Sequence, residues 1–143
     1  MSSVIAIADE VAGFAACDAT LARLQEHIDE ALARERDWEA GLDAALRLLL
    51  AFPDEQPGIA RTWFVEMYAS GPEAAGRHRC AVDRLALTLT PRRSPLDPTL
   101  QELIVAGGIW ALLQRHVFEG SAARLPRLAT DLRRHVVTLL GTE

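Results

Sequence analysis

The sequence predicts an all-α fold, a single six-helix bundle. Three observations carry that expectation. Half of the 143 residues are hydrophobic, Ala and Leu are abundant and β-branched runs are few, which is the composition of a helical globule. Apolar residues recur at three- and four-residue steps along most of the chain instead of alternating. The breaks between these periodic stretches fall at Pro and Gly, the residues that interrupt helices most strongly. At this length one domain, residues 1–143, is expected.

The first helix is read from about Ile5 to Glu35, where Phe14, Cys17, Leu21, Leu24, Ile28 and Leu32 form one apolar stripe and Arg23, Glu26, Glu30 and Arg34 lie opposite. Asp37 is suited to cap a second helix, Trp38 to about Phe52, with an apolar face of Trp38, Leu42, Ala45, Leu49 and Phe52. Pro53 is expected to stop it. A third helix runs from Pro57 to about Ala69 and carries Trp63, Phe64, Met67 and Tyr68, the densest aromatic group of the chain. After Ser70-Gly71-Pro72 a fourth continues to about Thr90, and the prolines of PRRSPLDP mark residues 91–98 as a loop. A fifth begins at Asp97 or Pro98 and ends near Glu119. Gly120 and Ser121 separate it from a sixth that ends near Leu140, with Gly141 at the C-cap.

The fifth helix contains IVAGGIWALLQRH, with Gly107 and Gly108 inside an apolar run. Each glycine in a helix interior costs about 1 kcal/mol relative to alanine, so something is expected to use the bare backbone. On a helical wheel Leu100, Leu103, Ile104, Gly107, Ala111 and Phe118 share one face, and Val105, Ile109, Leu112 and Leu113 occupy the other. A helix apolar on nearly all sides must be covered on nearly all sides. The sixth helix offers its own stripe, Leu125, Leu128, Leu132, Val136 and Leu139. Two such helices doubled by a two-fold axis would make a four-helix interface, so the expected partner is a second copy of the chain. Gly107 and Ala111 would then allow the helix axes to approach closely.

Composition narrows the function classes. The net charge of −5 argues against a surface that grips nucleic acid by itself. Cys17 and Cys80 lie far apart and in no CxxC spacing, so reduced thiols are expected. MSSVIAIADEVAG lacks the basic start and unbroken apolar run of a signal peptide, and no segment approaches the roughly 20 apolar residues of a membrane span; a cytoplasmic location is expected. The histidines form no metal set: His116 and Glu119 make at most half a site, and His78 and Cys80 point in different directions on a helix. There is no GxSxG elbow, phosphate-cradling loop or dinucleotide fingerprint, so neither catalysis nor a cofactor is expected.

DWEAGLDAALRLLLAF, PGIARTWFVEMYASGPEA, IVAGGIWALLQRHVFEG and ARLPRLATDLRRHVVTLLG together resemble the C-terminal regulatory region of TetR-type transcriptional regulators, and AACDATLARLQEHI fits the long helix that follows the DNA-binding headpiece in that family. The likeness covers about residues 14 to 141 and rests on the order, spacing and breaks of the helices. It implies a ligand-binding and dimerisation domain whose last two long helices, about 97–119 and 121–140, form the dimer interface through Leu100, Ile104, Gly107, Ala111, Phe118, Leu125, Leu128, Leu132, Val136 and Leu139. The preceding helices would enclose a pocket for a small, apolar effector. The family's N-terminal helix-turn-helix has no counterpart here, so DNA is an expected partner only if the native gene product carries such a head.

Resemblance and pattern together nominate Phe14, Cys17 and Leu21 on the first helix, Trp63, Met67 and Tyr68 on the third, Cys80, Arg84 and Leu87 on the fourth and Trp110 on the fifth as pocket lining; each also reads as ordinary core. Glu66 reads better as a surface carboxylate paired with an arginine. The expected function is effector sensing and dimerisation. The alternatives are a helical interaction module that senses nothing and pairs with itself or related regulators, and, third, a small helical-bundle enzyme.

Overall fold

The computed structural model describes residues 2–66, 71–91 and 97–141, with side chains from residue 15 onward. Six α-helices follow one another: α1 (Ser2–Arg34), α2 (Trp38–Glu55), α3 (Pro57–Arg61), α4 (Pro72–Leu89), α5 (Leu100–Glu119) and α6 (Ala129–Leu140). A π-helical turn, Thr62–Glu66, extends α3, and a 3-10 stretch, Ala122–Leu128, leads into α6. No strand occurs among the described residues, and the all-α bundle expected from the sequence is what forms. Nor is any described helix long and apolar enough to cross a membrane.

α2 is the centre of the bundle. Its Leu42, Leu46 and Leu50 are fully buried, and it touches α1, α3, α5, the 3-10 stretch and α6. Asp37 caps it as expected, its carboxylate accepting from the Glu39 N–H at 3.2 Å. At Gly41 a Cβ would stand 3.3 Å from the Leu32 Cα, so the glycine permits the close crossing of α1 over α2. The α1 stripe faces this crossing: Cys17 and Ile28 are buried, and Leu21, Leu24 and Leu32 pack against the core.

Several boundaries differ from the sequence expectations, each for a local reason. Pro53 does not stop α2, which runs on to Glu55. The proline lies in the last turn, where its missing N–H removes one helical bond; its ring is buried, and the Gln56 N–H closes the helix on the Phe52 carbonyl at 2.9 Å. The third helix is α-helical for only five residues before it widens into the π turn, and its expected continuation through 67–69 lies outside the described residues. α5 starts at Leu100 because Thr99 and Glu102 form a reciprocal capping box: Thr99 Oγ1 accepts from the Glu102 N–H at 3.2 Å while Glu102 Oε1 accepts from Thr99. The sixth helix opens as a 3-10 stretch because Pro126 supplies no donor and disfavours α-geometry at Leu125. Gly120 takes the left-handed conformation, φ 75°, that ends α5. Gly141 does cap α6, but in right-handed geometry.

A candidate ligand cleft and an uncovered helix face

α1 and α4 diverge along one side of the bundle and are joined by side chains, not by close backbone packing. An Arg77–Asp18 ion pair at 2.7 Å and a hydrogen bond from Gln25 Nε2 to Thr88 Oγ1 at 3.1 Å span the gap. Between them lies a partly open cleft of about 320 Å³, floored by Leu49, Trp63 and Trp110 and walled by Leu21, Leu24 and Ile28 of α1 and by Cys80, Ala81, Arg84 and Leu85 of α4. That volume is at the lower end of small-molecule sites, which are mostly apolar with a few polar groups.

An aromatic cluster forms the floor. Trp110 of α5 meets Trp63 edge-on at 6.3 Å between ring centroids, Phe64 at 5.1 Å and His78 at 5.5 Å. The π turn makes this possible by turning Trp63 and Phe64 both inward on successive positions. The side chain of Gln114 steadies it by donating to the Phe64 carbonyl at 3.1 Å. Burial holds the His78 imidazole below its ordinary pKa. Burial also raises the Cys17 thiol, with smaller contributions from the charges of Asp18 and Glu66, so it stays protonated.

Of the residues nominated for a pocket, the structure brings Leu21, Trp63, Cys80, Arg84 and Trp110 to the cleft. Cys17 is buried beside it, its thiol directed at the Ile59 carbonyl 3.9 Å away, and Leu87 is half-buried elsewhere on α4; neither lines the cavity. The side chain of Phe14, and Met67 and Tyr68 altogether, lie outside the described residues. Sequence reasoning passed over Leu24, Ile28, Leu49 and Leu85, because an apolar residue at helical spacing reads as core until the two helices are seen to part. Gln25 gave no signal at all.

The second feature is the outward face of α5. Val105, Ala106, Ile109, Trp110, Leu113 and Val117 are buried in the chain's own core, while Leu100, Ile104 and Phe118 are 74%, 60% and 72% exposed. Ala111 is exposed as well, and Gly107 is half-buried. A Cβ at Gly107 or Gly108 would meet nothing within 4 Å. No described element of this chain therefore uses the bare backbone. A shallow groove along Phe64, Val65, Ala111, Gln114 and Phe118 continues the face toward the end of α5.

α6 departs from expectation. The stripe expected of it runs through the 3-10 stretch and α6 and is turned inward against α2: Leu125 and Val136 are fully buried, Leu128 and Leu132 pack half-buried against the core, and only Leu139 of the five is exposed. Leu125 and Val136 accordingly offer no surface to a second copy. α6 and the 3-10 stretch both pack on α2 and help to cover its buried leucines.

Polar residues singled out in the sequence are otherwise engaged. Glu66 is exposed, 4.0 Å from Arg61. His116 Nδ1 is hydrogen-bonded with Ser121 Oγ at 2.8 Å, and Glu119 accepts from Arg115 at 3.4 Å. Among the described residues no group of three or more His, Cys, Asp and Glu is placed to hold a metal ion. Comparison of the chain with family models, with curated proteins and with solved structures returned no match.

Proposed function

We propose that the chain is an effector-sensing and dimerisation domain of the TetR type, taking a small apolar ligand into the cleft between α1 and α4. The observation that carries this reading is the cleft itself: an apolar, aromatic-floored cavity of about 320 Å³ where two helices part. The likeness of the helical strings to that family supports it. Such a domain acts without covalent chemistry. A ligand with different affinity for two arrangements of the helices shifts the population between them, and by no more than that difference. α5 is suited to transmit the shift, since Trp110 floors the cleft while Ile104, Ala111 and Phe118 of the same helix form the uncovered face. A cytoplasmic location belongs to this proposal.

Titration calorimetry and native mass spectrometry against a panel of apolar metabolites test it. Saturable binding that is abolished by Ala81→Trp, which fills the cleft, is expected; a panel that leaves the protein unliganded would refute the sensing role.

A second reading is favoured by the outward face of α5: an interaction module that pairs with itself or with related regulators and senses nothing. Co-expression separates the two. Capture of an intact regulator into a complex that no longer binds DNA, with no ligand response, favours the module.

A further inference from the structure

The sequence contains three tryptophans, and the structure treats them differently. The Trp38 indole donates to the Leu89 carbonyl at 3.0 Å. Trp63 and Trp110 are only 5% and 6% exposed, and among the described residues neither Nε1 has an acceptor. An indole N–H can only donate, and a buried donor left unpaired is unfavourable enough that each instance calls for a reason. Both of these lie on the floor of the same cleft.

The remaining polar groups of the cleft sharpen the reason. Asp18 is held by Arg77 at 2.7 Å, and Gln25 donates its amide to Asp29 and Thr88. Arg84, exposed on the α4 wall, makes no ion pair among the described residues. Gln25 Oε1 and the second carboxylate oxygen of Asp18 keep acceptor capacity, but both belong to side chains that already have partners. The buried cleft atoms left unpaired among the described residues are donors, the two indoles on the floor, and Arg84 adds a guanidinium on the wall. A ligand with a bare acceptor oxygen finds several donors there.

The geometry points to a ligand class: flat, apolar molecules bearing a carbonyl or ether oxygen, selected by the indole N–H groups of Trp63 and Trp110. This rests on the cleft being a binding site and adds to it the chemistry of the occupant. Each nitrogen presents less than 1 Å² to solvent in this structure, so contact with an acceptor requires the ring to tilt. Because Trp110 meets Trp63 and His78 edge-on, a tilt of one ring displaces its neighbours, and binding registers at both indoles.

The test uses 9-fluorenone and fluorene, three-ring probes of the same shape that differ by one carbonyl, titrated into the unmodified protein. We expect fluorenone to bind about tenfold tighter, the worth of a charge-free hydrogen bond to a buried donor at its upper range. In 1H–15N spectra the indole protons of Trp63 and Trp110 should move downfield with fluorenone and that of Trp38 should stay. In the Trp63→Phe/Trp110→Phe variant the two probes should bind alike, at the affinity fluorene has for the original protein. Equal binding of both probes to the unmodified protein would overturn the acceptor assignment while leaving the cleft a binding site. Binding of neither would overturn both. A preference that survives in the double variant, or a fluorenone complex with all three indole signals unmoved, would also overturn it; the spectra decide if the variant does not fold.

Discussion

Replacing Gly107 by leucine should act with opposite sign on the single subunit and on an assembled pair. In the subunit the position lies in mid-α5 and a Cβ there meets nothing within 4 Å, so a side chain projects without collision. Leucine restores helix propensity worth about 1 kcal/mol, which for a domain of this size raises the midpoint of thermal unfolding by roughly 2–4 °C. In a pair whose α5 helices cross at the bare backbone the same side chain is an overpacking defect. It costs about 1–3 kcal/mol per site and occurs twice by symmetry, so the dimer dissociation constant should rise roughly thirtyfold to twenty-thousandfold. Sedimentation equilibrium measures the association, and calorimetry at high dilution measures the subunit. Gly108→Leu is the control, since it also has open space but projects about 100° further round the helix. The reasoning fails if the unmodified chain sediments as a single subunit, or if Gly107→Leu associates as tightly as the original.

Opposite faces of α5 should respond differently to truncation. Phe118→Ser removes a ring that is 72% exposed and should change subunit stability by less than about 1 kcal/mol while weakening self-association by about 3 kcal/mol over two copies; Leu113→Ala, fully buried, should cost the fold about 2–5 kcal/mol, and both are read by sedimentation and urea unfolding. His78 is neutral more readily in the folded chain than in the unfolded one, because burial lowers its pKa from 6.5. The unfolded state then binds the proton first as pH falls, so stability should be full above pH 6.5 and decline below it until the folded pKa is passed, and His78→Gln should flatten that part of the urea-midpoint profile. Thiol titration should find Cys80 reacting at once and Cys17 only on unfolding, since one is exposed and the other is buried with a raised pKa; two equally fast thiols would contradict the packing of α1 on the core.

The helices were largely legible in the sequence because their signals are local. Periodicity located the stripe of α1 and both faces of α5, and Asp37 named its own cap. The capping box at Thr99 and Glu102 could have been read the same way, as Thr followed three residues later by Glu. Where the local rule carried too little weight, tertiary contact prevailed: Pro53 is retained inside α2 because its ring is buried at a point where only one helical bond is lost.

The sequence by itself determined that the chain is helical, where each helix turns apolar, and that α5 has more greasy surface than one neighbour can cover. Only the tertiary structure decided which surfaces meet. Among the described residues it spent the α6 stripe on α2, left the outward face of α5 bare, parted α1 from α4 to open the cleft, and placed Trp63 and Trp110 on its floor without acceptors. Periodicity specifies that a face is apolar, but it does not specify its partner. That choice depends on how helices of given length and bulk fit around α2, a property of the whole packing that no single segment encodes.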